Sequence, residues 1–170
     1  YRNIRTATIM TSDKLPKNIS GQYANENTIL VSKDCNCPRE TIFHELTHLS
    51  SSNMLDNIRR VGFRYRDDKN NIDIGLGINE GYTSYFTTKL SGIIGGYLFG
   101  MMVAKTKGIV GTNKMRELYF NANLKGLIQE LQKYATEEEI TCFLYNLDGY
   151  TNKSLYSKHD AYNKEVCTEY

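Results

Sequence analysis

The sequence predicts an α+β fold: small N-terminal antiparallel strands with a hairpin, a first long helix, a second long helix, and a helical C-terminal lobe. Three observations carry this expectation. Runs rich in Ile, Val and Thr occupy residues 4–33 and are cut by turn formers. From residue 42 onwards apolar side chains recur at helical spacing. Beyond residue 92 one helical pattern follows another.

Residues 4–10 mix β-branched with polar residues and read as a strand, which Ser12-Asp13-Lys14 and Pro16 break. Residues 19–33 read as a hairpin. Tyr23-Ala24 lead into the turn formers Asn25-Glu26-Asn27, and Thr28-Ile29-Leu30-Val31 return. A helix starts near Cys37, because Pro38 sacrifices no hydrogen bond in a first turn and Glu40 suits the positive helix end. Ile42, Phe43, Leu46 and Leu49 continue it, and Ser50-Ser51-Ser52-Asn53 ends it. The charged stretch 57–73, with Arg59, Arg60, Arg64, Arg66, Asp67, Asp68 and Lys69, reads as a solvated excursion. A second long helix is expected to open at Asn79-Glu80 and run towards Leu90. Further helices are expected over about 95–105, 113–121, 124–134 and 137–146. Gly92, Gly96 and Gly100 share one helical face, which allows close packing against a neighbouring helix. The chain thus reads as one domain, 1–170. Its strand-containing lobe with the motif helix is 1–91, and its helical lobe is 92–170.

A chain of 170 residues buries a core without covalent staples. Hydrophobic residues at 40% and charged residues at 24% exclude the disordered and fibrous classes. The net charge of +2 gives no reason to expect nucleic acid or an anionic membrane as partner. The longest apolar run, about 92–104, is too short for a membrane span and is interrupted by glycines. Cys35, Cys37, Cys142 and Cys167 permit two disulfides without requiring them. Cys35 and Cys37 flank a single residue and do not pair in relaxed geometry. A first residue of Tyr rather than Met reads as a processed protein or an excised segment. It leans the expected location towards secreted or extracytoplasmic.

The chemistry concentrates in His44-Glu45-Leu46-Thr47-His48. Two histidines four residues apart leave a helix on the same face and converge on one point. Their neutral imidazole nitrogens suit Zn2+. Glu45, about a hundred degrees round the helix from His44, sits beside the metal and is placed to take a proton from water there. A catalytic zinc site needs a third protein ligand and one open position. His48 is followed by Leu49-Ser50-Ser51-Ser52-Asn53-Met54, so no nearby third histidine is available. Asp56, Asp73 and Glu80 remain. Glu80 fits best, because the 31 residues between it and His48 hold a turn, an excursion and a returning helix.

His44-Glu45-Leu46-Thr47-His48 followed by Asn79-Glu80 resembles the gluzincins, the thermolysin-like zinc peptidases, whose third ligand is a Glu in an Asn-Glu pair on a later helix. The resemblance covers roughly residues 19–91. It implies a zinc-dependent endopeptidase with His44, His48 and Glu80 as metal ligands and Glu45 as the catalytic base. It also implies that a peptide or protein substrate adds as an extended strand to the edge before the motif helix, here expected at residues 28–33. The chain departs from the thermolysin type at Thr83 and Ser84, where that type has Ser and then Asp, so another group must orient a metal-bound histidine. Tyr65 and His159 are the candidate donors to a tetrahedral oxyanion. Tyr82 and Tyr85 are expected near the metal ligands or in the core. A different class of reading keeps the same fold as a catalytically silent binding or regulatory module.

Overall fold

Alternation of β-branched side chains builds the first layer. In the computed structural model, which describes residues 2–24, 27–55, 58–67, 72–92 and 100–155, three strands form one small sheet. They are β1 (Thr8–Ser12), β2 (Gly21–Tyr23) and β3 (Thr28–Ser32), in the order β1-β3-β2. Ile29 and Val31 point to one face of β3 and are buried, as period-two alternation requires. The expected hairpin is present as the antiparallel pair β2–β3, with Gln22 opposite Leu30.

The N-terminal expectation needs two corrections. Residues 2–5 form a short helix, α1 (Arg2–Arg5), and the strand lies later than residues 4–10. Moreover, β1 runs parallel to β3, with Met10 opposite Leu30, so the sheet is mixed and not purely antiparallel. The reason lies in the turn. Asn27 adopts a positive φ of 62°, which folds β2 back along one side of β3. Only the other side of β3 is left for β1, and residues 13–20 must carry the chain across the sheet to reach β2.

Helix α2 (Pro38–Ser50) has Pro38 in its first turn, as expected. Leu49 packs on Ile29 and Val31, with Ile42 and Leu46 beside it. This small core holds α2 against the sheet. Gly21 is where β2 meets the helix most closely: a Cβ there would run into Thr41 and come within 3.3 Å of Glu45 Cγ.

The charged stretch is not a loose excursion. It and its flanks form two antiparallel strand pairs, β4 (Ser52–Leu55) with β5 (Ile58–Val61), and β6 (Tyr65–Asp67) with β7 (Ile72–Ile74). Arg64 is pinned to Asp73 by two hydrogen bonds of 3.2 and 2.8 Å, and Phe63 between the hairpins is fully buried. The Arg64–Asp73 pair thus holds between structured segments two charges that composition alone assigns to water.

The rest is helical: α3 (Leu76–Ser91), α4 (Gly100–Val110), α5 (Thr112–Phe120), α6 (Leu124–Leu131) and α7 (Glu137–Leu155). Helix α3 begins at Leu76, ahead of the expected start at Asn79-Glu80. Gly75, in the left-handed conformation at φ 78°, lets the chain turn into it. The cap comes from far away: the Asp148 carboxylate on α7 accepts hydrogen bonds from Gly75 N (2.8 Å) and Gly77 N (2.7 Å). The fold is thus mixed α+β. Its larger core joins Phe63, Ile78 and Tyr82 to Val103, Met115, Tyr119, Leu127 and Leu144 from the later helices. Residues 95–99 of the helix expected over about 95–105, Gly96 among them, lie outside the described residues. Among the described residues, no helix is long and apolar enough to cross a membrane. Cys35, Cys37 and Cys142 carry free thiols, and Cys167 is outside the described residues.

Candidate metal centre

Ile42, Leu46 and Leu49 turn one side of α2 to the sheet, so His44 and His48 leave from the other side and face α3. On α3, Leu76, Asn79, Glu80 and Thr83 share a face by helical spacing, and that face meets α2. Glu80 therefore sits in the second turn of α3, not at a frayed helix start.

The three expected ligands meet. His44 Nε2 lies 3.2 Å from Glu80 Oε2, His48 Nε2 lies 3.3 Å from Glu80 Oε1, and the two Nε2 atoms are 3.1 Å apart. The group is close enough to hold a metal ion. The side chains are largely shielded, at 16%, 8% and 13% exposed, so the charges interact through little water. Burial pulls the His48 pKa down, but the Glu80 carboxylate beside it outweighs burial, and the net shift is upward. Burial pushes Glu80 up, yet His48 and His44 hold it well below the ordinary carboxylate range. Both shifts describe one ion pair seen from its two ends.

Glu45 lines the same cavity, of about 360 Å3, and is itself buried. Its Oε2 accepts a hydrogen bond from the backbone N–H of Tyr23 at 2.7 Å, so strand β2 holds the carboxylate. Ser20 O and Ala24 N bond to β3. By alternation, the peptide groups of Gly21 and Tyr23 point away from β3, towards α2 and the cavity.

This corrects the expected substrate edge. Residues 28–33 lie largely in β3, which is the central strand with a partner on each side. The strand lining the cavity is β2, through Gly21, Gln22 and Tyr23. Local pattern places β2 in a hairpin with β3 but does not tell which of the two strands faces the cavity.

Thr83 faces His48. Thr83 Oγ1 and Asn79 Nδ2 are each 3.4 Å from His48 Nδ1. Asn79 is itself fixed by Phe63 N, which donates to its Oδ1 at 3.0 Å.

The remaining candidates are not brought to this point. Asp73 is paired with Arg64, while Asp56 and His159 lie outside the described residues. Tyr65 sits under the Arg60 guanidinium, 5.2 Å from its carbon, and is not part of the cavity wall. Arg64 is part of that wall, a feature that charge counting did not single out. Tyr82 is buried in the larger core, where desolvation pushes its pKa up to about 12. Tyr85 receives a hydrogen bond from Lys107, away from the ligands. Cys35 bonds with Thr41, and neither Cys35 nor Cys37 lines the cavity. No protein-family model matches the chain, and no curated protein or solved structure matches it.

Proposed function

We propose that this chain is a zinc-dependent endopeptidase of the gluzincin type, with His44, His48 and Glu80 as zinc ligands and Glu45 as the catalytic base. The observation that carries the proposal is the spacing of the donor atoms. The two imidazole Nε2 atoms are 3.1 Å apart, close to an edge of a coordination tetrahedron, and each faces one oxygen of the Glu80 carboxylate, His44 at 3.2 Å from Oε2 and His48 at 3.3 Å from Oε1. Ligands about 2.0 to 2.1 Å from a tetrahedral centre lie about 3.3 to 3.4 Å from one another. Two imidazoles and one carboxylate are a donor set suited to zinc, and three protein ligands leave one position open.

Zinc bound there would supply Lewis acidity, polarising a scissile carbonyl and acidifying a water. The chain's own groups do the rest. Tyr23 N–H engages Glu45 Oε2 and leaves Oε1 to accept the proton of the attacking water. Glu45 then delivers that proton to the leaving amine, which otherwise departs poorly as an anion. The outward peptide groups of β2 support a substrate held as an extended strand along the cavity.

The test is Glu45→Gln, which keeps the shape and removes the base. Purified wild type and variant should each take up about one zinc per chain. With a mixed peptide library read by mass spectrometry, the variant should cleave at least about 100-fold more slowly. Equal cleavage by the two proteins would dismiss Glu45 as the base. A folded wild type that takes up no zinc would overturn the metal assignment. Zinc uptake with no peptide ever cut would favour the silent module.

A further inference from the structure

We infer that Thr83 and Tyr119 are positioning residues for the metal centre: a hydroxyl pair fixes the ring of His48 and the nitrogen that carries its proton. The inference rests on the metal reading above and goes beyond it, because Tyr119 comes from α5 in the helical half of the chain.

A histidine that offers Nε2 to a metal carries its proton on Nδ1, and that N–H needs an acceptor. Two groups stand at 3.4 Å from His48 Nδ1. One is the Asn79 amide nitrogen, which cannot accept. Its orientation is not free to reverse, because Phe63 N–H occupies Asn79 Oδ1 at 3.0 Å. The other is Thr83 Oγ1, an oxygen. The Thr83 proton is already committed to the Asn79 backbone carbonyl at 2.8 Å, so towards His48 the oxygen acts as acceptor.

Tyr119 locks this arrangement. Its hydroxyl is 2.6 Å from Thr83 Oγ1, and the Ser51 side chain lies beside it. Ser51 Oγ in turn donates to the His48 backbone carbonyl at 2.9 Å. Thr83, Ser51 and Tyr119 are all fully buried, so water does not compete for these bonds. Burial also pushes the Tyr119 pKa upward, which keeps its hydroxyl protonated as a donor. With Tyr119 donating to Thr83, the proton directions are consistent: Tyr119 to Thr83, Thr83 to Asn79 O, His48 Nδ1 to Thr83, and Ser51 to His48 O. A neutral hydroxyl relay takes the place of an orienting carboxylate.

The experiment compares Thr83→Val, Thr83→Ser, Tyr119→Phe and Tyr82→Phe with the wild type. Tyr82→Phe trims a neighbouring aromatic whose ring lies 4.7 Å from that of Tyr119 and serves as the packing control. Zinc affinity is read by competition with a chelator, and the protonated nitrogen of His48 by nitrogen-15 NMR of the metal-free protein at about pH 9. Thr83→Val and Tyr119→Phe should each weaken zinc binding by about 10- to 100-fold. Thr83→Ser should restore wild-type affinity, and Tyr82→Phe should not change it. In the metal-free chain Glu80 competes for the proton at Nε2, so the readout is relative: Thr83→Val should lower the Nδ1–H share of neutral His48 below that of wild type. Unchanged affinity and unchanged tautomer in folded Thr83→Val and Tyr119→Phe would overturn the inference. Should the Nδ1–H share fall in Thr83→Val while the wild type takes up no zinc, the metal reading fails and the orienting role stands.

Discussion

At the scale of single residues, the site is an ion pair between His48 and Glu80 that a metal would replace. The raised pKa of His48 means that the folded, metal-free chain keeps that proton above the ordinary 6.5. Its stabilising contribution is complete below 6.5 and is lost as pH rises through the folded value. Glu80 has the opposite sign: its contribution is present above its ordinary 4.5 and is lost as pH falls through a much lower folded value. The pair therefore stabilises the metal-free chain most between 4.5 and 6.5. A metal must displace the His48 proton in that window. We predict that zinc uptake at about pH 6 releases protons and that apparent affinity rises with pH. Calorimetry in two buffers of different ionisation heat measures the release. Zero release at that pH would contradict the pairing.

At the scale of elements, the start of α3 matters most, because Asn79, Glu80 and Thr83 all ride on its first two turns. That start is capped by Asp148, which is buried and held by two backbone N–H groups. Burial, together with the charge of nearby Asp73, raises its pKa from 3.8 to about 6, against the pull of those two bonds. Because the shift is upward, the stability it confers is complete below 3.8 and lost as pH rises through about 6. Asp148→Ala leaves two buried N–H groups without their acceptor. It should destabilise the chain by about 1–3 kcal/mol. The loss should be larger at about pH 4 than at about pH 7.5, since only the wild type has the extra low-pH term. Urea unfolding at the two pH values measures both quantities. An equal loss at each pH would place the Asp148 pKa near its ordinary value.

At the scale of the whole molecule, the centre joins two cores. Helix α2 belongs to the small core under the sheet, through Leu49, whereas α3 belongs to the large helical core, through Ile78 and Tyr82. A metal held by His44 and His48 on one side and Glu80 on the other would cross-link them. Zinc at about a hundred times its dissociation constant should add about 2.7 kcal/mol. That corresponds to a rise in Tm of roughly 5–11 °C for a chain of this size. A chelator should reverse the rise, and Glu80→Ala should abolish it while leaving the metal-free chain folded. Scanning calorimetry with and without zinc tests this. A Glu80→Ala protein with the full zinc-induced rise would place the third ligand elsewhere.

Much of the site is legible in sequence because its information is local. His44, Glu45 and His48 lie within two helical turns, so spacing alone sets which side chains converge. The β2–β3 hairpin is legible for the same reason, since its turn residues adjoin the strands they join. Glu80 is legible as a residue type on a second helix, but not its depth, because the true start of α3 is fixed by a carboxylate 71 and 73 residues away. The choice of β2 over β3 as the cavity wall likewise depends on β1 occupying the other side of β3, in a parallel register that no local pattern announces. Thr83 and Tyr119 are ordinary residues in their own helices until α3 and α5 pack together and set their hydroxyls 2.6 Å apart beneath His48. Local spacing therefore sets His44, Glu45 and His48 on one helix. Which strand edge, which cap and which hydroxyls surround them follows from packing between distant segments, because those contacts exist only once the two cores have docked.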